Sequence, residues 1–497
     1  MDVPFGASPA SGYRFAANLV GGNSGTEADL QGMAHADVII ENGTVVIEGG
    51  VFPADVIIAD ERIAALTLDS SSWSAPQRID AAGLWLIPGG IDTHTHFEEP
   101  DPRLLEGFTS GGAGAAAGGI TSAAEMPQAH PTTISQELLL EKQRLVEQNA
   151  VIDMGLWGGV VGPPGQTVSD LDGMAREGAA AFKSFMASSS PFFPAVDHAQ
   201  LLWAMREAER LDLPYGLHAE DHQLLNDGLD RLRAAGRKDP LAHAESRPPL
   251  VETVAVNTAL LLAAETGCHV HICHVASVGA LALVREAKER GVRVTAETCP
   301  QYLMLNTDDL VRLAGFARCA PALREQAEVD GIWEYVLDGT IDLVCSDHCP
   351  YTLESKQAGE DDIFETPLGL SGVQTLLPAF FSEAVVKRGL PVERFVALIA
   401  ANPARIFGLY PRKGTLSVGA DADIALLDPN AIWTVTVDDV LHKQKWTPYE
   451  GKEITGRVVR TIRRGETIFD DTLQGSDRMT ARPGSGRFLQ RGYGETT

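Results

Sequence analysis

Five short stretches of this sequence each end an apolar run in a side chain able to bind a metal ion. They are Ile91-Asp-Thr-His-Thr-His, with His94 and His96; Ala181-Phe-Lys-Ser-Phe, with Lys183; Gly216-Leu-His-Ala-Glu-Asp, with His218; His271-Ile-Cys-His-Val-Ala-Ser, with His274; and Val344-Cys-Ser-Asp-His, with Asp347. Together they describe a two-metal hydrolase site. Imidazole and carboxylate ligands suit zinc, and also manganese, cobalt or iron. Paired ions about 3.5–4 Å apart polarise a carbonyl and generate a nucleophile near neutral pH. A carboxylate beside that nucleophile can take its proton and return it to a leaving nitrogen, a role that falls here to Asp347.

Each signal also has a plainer reading. Positions i and i+2 of a strand face the same side, so His94 and His96 point together, as a metal requires or as two polar strand-end histidines would. The Pro88-Gly89-Gly90 lead-in and the later ligands favour the metal. Lys183 lies between apolar neighbours, where a lone ammonium is costly. It either snorkels at a strand end or is carboxylated, its carbamate bridging two cations. His218 and His274 end apolar runs, as structural histidines also do. His269 and His271 are taken as structural, and His222, His243 and His348 are further histidines, so their number alone decides nothing. Asp347 can cap a following helix as well as bind an ion.

The elements that must gather these residues follow from spacing. Successive gaps from His96 to Lys183, His218, His274 and Asp347 are 87, 35, 56 and 73 residues. A βα unit takes roughly 30 residues or more, so the gaps fit three units, one, one enlarged and two. The ligands then fall on strands 1, 4, 5, 6 and 8 of an α/β chain, a (β/α)8 TIM-type barrel whose C-terminal strand ends converge on one face. Helical spacing over 138–149, 199–211, 254–266 and 280–290 supplies the intervening helices. Strand-like segments at Asp37, Thr44, Asp55 and Arg62 return in character at Asp421, Trp433 and Val458. One small β-sandwich built from both chain ends accounts for them. The expected division is a flexible extension over 1–36 that can cap a neighbouring subunit, sandwich over 37–88 and 410–470, barrel over 89–409, and a tail over 471–497. That tail reads as loosely ordered or as a subunit contact.

Composition bounds the rest. The chain has 497 residues, 44% of them apolar, enough for a barrel and a smaller partner. With 67 acidic against 40 basic residues, the formal charge is −27, which argues against nucleic acid or an anionic membrane as partner. Cys268, Cys273, Cys299, Cys319, Cys345 and Cys349 form no C-x-x-C pair and read as reduced thiols of a cytoplasmic protein. No signal-peptide pattern and no apolar run long enough to span a membrane is present.

With all five motifs in hand, the chain resembles the amidohydrolase superfamily in its cyclic amidase branch, which holds allantoinases, hydantoinases or dihydropyrimidinases, and dihydroorotases. The resemblance runs from about Asp37 to Asp470. It implies that His94, His96, Lys183 and Asp347 hold one metal, and carboxylated Lys183, His218 and His274 the other. It also implies a homotetramer. The arginine that dihydroorotases carry after H-x-H is absent from His96-Phe-Glu-Glu-Pro. The tyrosine that hydantoinases place after the lysine is absent from Lys183-Ser-Phe-Met-Ala. Glu125-Met-Pro, Thr298-Cys-Pro-Gln-Tyr, Arg318-Cys-Ala-Pro-Ala-Leu-Arg, Ser346-Asp-His-Cys-Pro and His442-Lys-Gln-Lys-Trp-Thr-Pro are similar to allantoinases, with Asp101 and Ala322 as departures. By family analogy Cys319, Leu368 and Gly369 take the imide edge of the substrate. The expectation is a hydrolase that opens a cyclic amide or ureide, allantoin to allantoate in type, by attack of a metal-bridging hydroxide. The alternatives are a hydantoinase or dihydropyrimidinase, and a non-catalytic scaffold; the latter commonly lacks a ligand, whereas all six are present here.

Overall fold

The computed structural model describes residues 33–100, 106–162, 165–188 and 192–493. Its centre is a run of eight parallel strands in chain order: β1 (Gly90–Thr95), β2 (Ile120–Glu125), β3 (Asp153–Gly159), β4 (Ala181–Phe185), β5 (Tyr215–His218), β6 (Val270–Ile272), β7 (Val294–Thr298) and β8 (Leu343–Val344). The seam between β8 and β1 closes at the last residue of β1 and just beyond β8. Thr95 bridges His348, and the His96 N–H donates to the His348 carbonyl at 2.8 Å. The result is the expected (β/α)8 barrel. Its strands are buried on both faces, which is why they read as apolar runs rather than alternating ones. Gly216 leaves room for the Trp157 ring inside the barrel, since a Cβ there would lie 2.5 Å from it.

The outer helices start where side chains can satisfy free backbone N–H groups. Ser135 accepts from the Leu138 N–H to cap Gln136–Asn149, and Asp197 with Gln200 forms a capping box on His198–Arg210. Pro249–Thr266 begins five residues earlier than its apolar pattern does, because proline is tolerated in the first turn, and it ends on left-handed Gly267 (φ 75°). The fourth helix is Val278–Glu289. Each amphipathic helix turns its small and apolar face inward; Leu201, Ala204, Met205 and Ala208 of the second are buried.

Both chain ends build a second sheet. Its strands run Glu466–Asp470, Glu453–Arg463, Ile424–Thr434, Trp85–Pro88, Val38–Ile47, Gly50–Ala59 and Arg62–Thr67, with Gln77–Asp80 added beside Val38–Ile47. Trp85–Pro88 is the joint. It pairs antiparallel with Ile424–Leu427, parallel with Thr44–Val45, and leads straight into β1. Gly89 makes that transition possible, because a Cβ there would sit 2.3 Å from Thr121. A separate apolar core of Val38, Ile40, Val56, Ile58, Leu86, Ile424, Leu426 and Ile462 holds this sheet together.

Of the extension, residues 1–32 lie outside the described residues; Ala34–His35 pairs with Trp73–Ser74. The polar segment after Asp471 differs from its expected looseness. It crosses the N-terminal end of the barrel, where the Leu489 N–H donates to Met154 O and the Met154 N–H to Arg487 O, both at 2.8 Å. Leu489 is buried in the barrel core. Gly484 and Gly486 donate to Ala150 O, and Tyr493 donates to Asp421 at 2.8 Å.

Candidate metal centre

The structure brings all six sequence-predicted ligands to the C-terminal mouth of the barrel. His94 lies on β1 and His96 just past it; Lys183 lies on β4, His218 ends β5, and His274 and Asp347 follow β6 and β8. They form two groups. In the first, Nε2 of His94 and Nε2 of His96 lie 3.3 and 3.5 Å from one Asp347 oxygen. In the second, His218 Nδ1 faces His274 Nε2 at 3.1 Å. The His94 and His274 rings stand 5.2 Å apart, so the groups are adjacent.

Lys183 shares the site with both groups. It is fully buried, and its Nζ has no hydrogen-bond partner. Its charge acts on His94, His218 and His274 alike. Burial and Lys183 push His94 down to about 4. Burial also works against a proton on His96, yet Asp347 and Glu98 hold that ring up to about 9. Two backbone positions are strained: His274 (φ 37°) and Asp347 (φ 48°) both adopt the left-handed region, which non-glycine residues enter at a cost.

A second layer of buried carboxylates fixes the rings. Glu297 on β7 accepts from His94 Nδ1 at 2.5 Å and from the His274 N–H at 3.2 Å, and lies 3.0 Å from His271 Nε2. Glu220 lies 2.8 Å from His218 Nε2 and accepts from Arg247 at 2.8 Å. Burial raises Glu220, but Arg247 and His218 outweigh it and hold the carboxyl at about 2. These contacts occupy His94 Nδ1 and His218 Nε2, so that the other ring nitrogens turn to the ligand groups, His94 Nε2 toward Asp347 and His218 Nδ1 toward His274. Asp92 accepts from the Ser346 N–H at 3.1 Å and from its hydroxyl, and burial pushes it up to about 7. Glu125 accepts from the N–H groups of Phe97 (2.9 Å) and Glu98 (2.7 Å) and so fixes the turn after His96.

The residue after Asp347 is anchored on several sides. His348 Nε2 lies 3.1 Å from Glu106, while Nδ1 accepts from the Gly372 N–H at 3.0 Å. His442 Nδ1 approaches the other Glu106 oxygen at 2.8 Å, and its Nε2 lies 2.6 Å from Ser371 Oγ. Sequence reasoning missed Glu297, Glu220, Glu125, Asp92 and Glu106. The signal available for Glu297 was a carboxylate inside the apolar strand Val294-Thr-Ala-Glu-Thr, which must find a partner. His271, read as structural, carries no part of either ligand group and supports Glu297.

The residues assigned to the substrate edge lie on the same mouth. Gly369 donates to Arg318 O at 3.0 Å, which joins the Leu368-Gly369 segment to the one bearing Cys319. A Cβ on Gly369 would lie 2.4 Å from Cys349 O, two residues beyond Asp347.

The amidohydrolase family model matches residues 85–468. An allantoinase of Rubrobacter xylanophilus is 44% identical over 467 residues, 93% of this chain and 100% of the relative. An L-hydantoinase of Paenarthrobacter aurescens is 34% identical over 457 residues, 92% of this chain and 98% of that one. Among solved structures, the L-hydantoinase (dihydropyrimidinase) from Arthrobacter aurescens superposes with a TM-score of 0.88 at 33% identity, covering 92% of this chain and 100% of that one.

Proposed function

The chain belongs to the amidohydrolase family, and we propose that it hydrolyses a cyclic amide or ureide, allantoin before hydantoins or dihydropyrimidines. The observation that carries this reading is Lys183, a buried amine without a hydrogen-bond partner whose charge acts on imidazoles of both groups. Addition of carbon dioxide to that amine, with loss of a proton, gives a carbamate whose two oxygens can serve one group each. His94, His96, carboxylated Lys183 and Asp347 would then hold one divalent ion, and carboxylated Lys183, His218 and His274 another, zinc before manganese, cobalt or iron. Such a pair, when bound, polarises the ring carbonyl and activates water at neutral pH.

The remaining work falls to side chains. Asp347 takes a proton from the attacking water and returns it to the ring nitrogen as the C–N bond breaks. Its side chain is 13% exposed, the open member of its group, and so can meet substrate. Glu297 and Glu220 hold the imidazole tautomers. Cys319, Leu368 and Gly369 take the imide edge of the ring.

The allantoinase relative, which matches over its whole length, supports allantoin as the first substrate. The hydantoinase relatives keep hydantoins as the second reading. A scaffold role is disfavoured by the presence of all six ligands. Metal-stripped protein reloaded with divalent ions should open allantoin, hydantoin or dihydrouracil, allantoin fastest. Silence on all three with both ions bound would sink the reading. A homotetramer in the cytoplasm belongs to the same reading, and a monomer by light scattering would count against it. Among the described residues no helix is long and apolar enough to cross a membrane.

A further inference from the structure

Lys356 is a wholly buried lysine on the short helix Leu353–Gln357, outside the two ligand groups. Its Nζ donates to three carbonyls: Arg318 at 3.2 Å, Pro367 at 3.0 Å and Gly369 at 2.8 Å. Three acceptors match the three N–H bonds of an ammonium. Among the described residues no carboxylate pairs with it. Burial pulls this amine down to about 7; its protonated form, held by peptide carbonyls, polarises those peptides and strengthens the N–H on the far side of each.

The geometry of the peptide bond says which N–H groups those are. The Arg318 carbonyl shares its peptide with the N–H of Cys319, and the Pro367 carbonyl with the N–H of Leu368. Neither peptide is cis, so each N–H points away from its carbonyl and hence away from Lys356. Among the described residues neither N–H meets a hydrogen-bond acceptor. The two peptides form one unit, because Arg318 O also accepts from the Gly369 N–H at 3.0 Å. That unit is pressed against the strand end that carries Asp347: the Cys349 N–H donates to Leu370 O at 2.8 Å. Trp446 lies over the Lys356 amine at 5.6 Å and donates to Tyr351 O at 2.8 Å, which closes the opposite side.

We infer that Lys356 is a positioning residue for substrate. By gripping the carbonyls of Arg318 and Pro367, it presents the N–H groups of Cys319 and Leu368 as a pair of strengthened donors for a carbonyl oxygen of the bound ring. The inference rests on the cyclic-amide reading above and adds a selectivity to it. Rings with a second carbonyl beside the scissile amide, such as hydantoins and other cyclic imides or ureides, satisfy the pair; a simple lactam does not.

The test is Lys356→Met, which keeps the volume and removes every donor. Metal content and Tm are measured beside kcat and KM for allantoin and hydantoin, and binding of hydantoin to Asp347→Asn with and without Lys356→Met is followed by calorimetry. KM and the calorimetric Kd should rise about ten- to a hundred-fold, with kcat within about threefold and metal content unchanged. An unmoved KM and Kd would overturn the inference. So would a fall in kcat that tracks loss of metal, because Lys356 would then act on the metal centre. Should Lys356→Met not fold, the decision passes to Leu368→Pro, which deletes one N–H and leaves Lys356 in place: weaker hydantoin binding supports the inference, and unchanged binding overturns it. The unsubstituted enzyme is assayed in parallel. Its failure to open any ring would sink the proposed function, whereas normal turnover with an unmoved variant KM would sink this inference alone.

Discussion

The two ends of the barrel bury lysines on opposite terms. At the N-terminal end Lys413 is buried against Asp153 (2.8 Å), Asp423 (2.6 Å) and Asp421 (3.4 Å). Asp153 also binds Arg464, and Arg412 binds Asp421, so the base neutralises itself. At the C-terminal end Lys183 is buried as deeply and meets imidazoles and an unfilled bonding capacity. Burial is equal; what differs is electrostatic demand. A buried charge with its partners holds a fold together, and one without them calls for chemistry that the chain alone does not supply. Lys142 sharpens the rule. Its Nζ also lacks a hydrogen-bond partner, and burial holds its pKa below the usual lysine value, but the charges that act on it are the carboxylates Glu125, Glu98 and Glu99, which work against that burial, so a missing bond alone does not make a site.

The largest effect should come from erasing the unmatched lysine. Lys183→Ala should lose metal from one or both groups and lower turnover by on the order of a thousandfold or more, with partial rescue by short carboxylic acids. Unchanged metal content by elemental analysis would break the contrast at its first term. Asp347→Asn comes next: most of the metal stays, while kcat falls about 10²- to 10⁴-fold because the proton carrier is gone. Near-normal rates would remove Asp347 from that role. At the other end Lys413→Met should cost about 3–5 kcal/mol of stability by stranding its buried carboxylates, and leave metal content and the kcat of folded enzyme close to normal. A large loss of metal in that variant would show that the two ends are not separable.

The smallest effect is a dependence on pH. Burial raises the Asp153 carboxyl, but Lys413, Arg464 and Arg463 overcome it and hold the group below the usual carboxylate range. A depressed folded pKa contributes stability above the unfolded value, about 4, and loses it as pH falls through that range. Tm should therefore drop below about pH 5, and less steeply in Asp153→Asn. Parallel acid slopes in the two proteins would contradict the assignment.

What the sequence made legible was the first layer of the site and the barrel that gathers it. His94 and His96 stand two apart on a strand, and Lys183, His218, His274 and Asp347 each end an apolar run; local pattern suffices for these. Glu297 was not legible, because its partner His94 lies 203 residues away and nothing in the strand around it points there. Glu106 likewise meets His348 across 242 residues. The tail misled for a different reason. Its polar composition hides one fully buried apolar residue, Leu489, with Met479, Phe488 and Tyr493 packed partly buried beside the same core, and backbone hydrogen bonds to β3 that composition cannot register.

That tail has a consequence for how the molecule is made. Residues 38–88 leave the ribosome well before 424–470, so their sheet is unfinished until the latter emerge, and the floor under β3 until 484–489 do. A nascent chain must therefore carry an exposed apolar edge through most of its translation, during which it is open to misassembly and to chaperones.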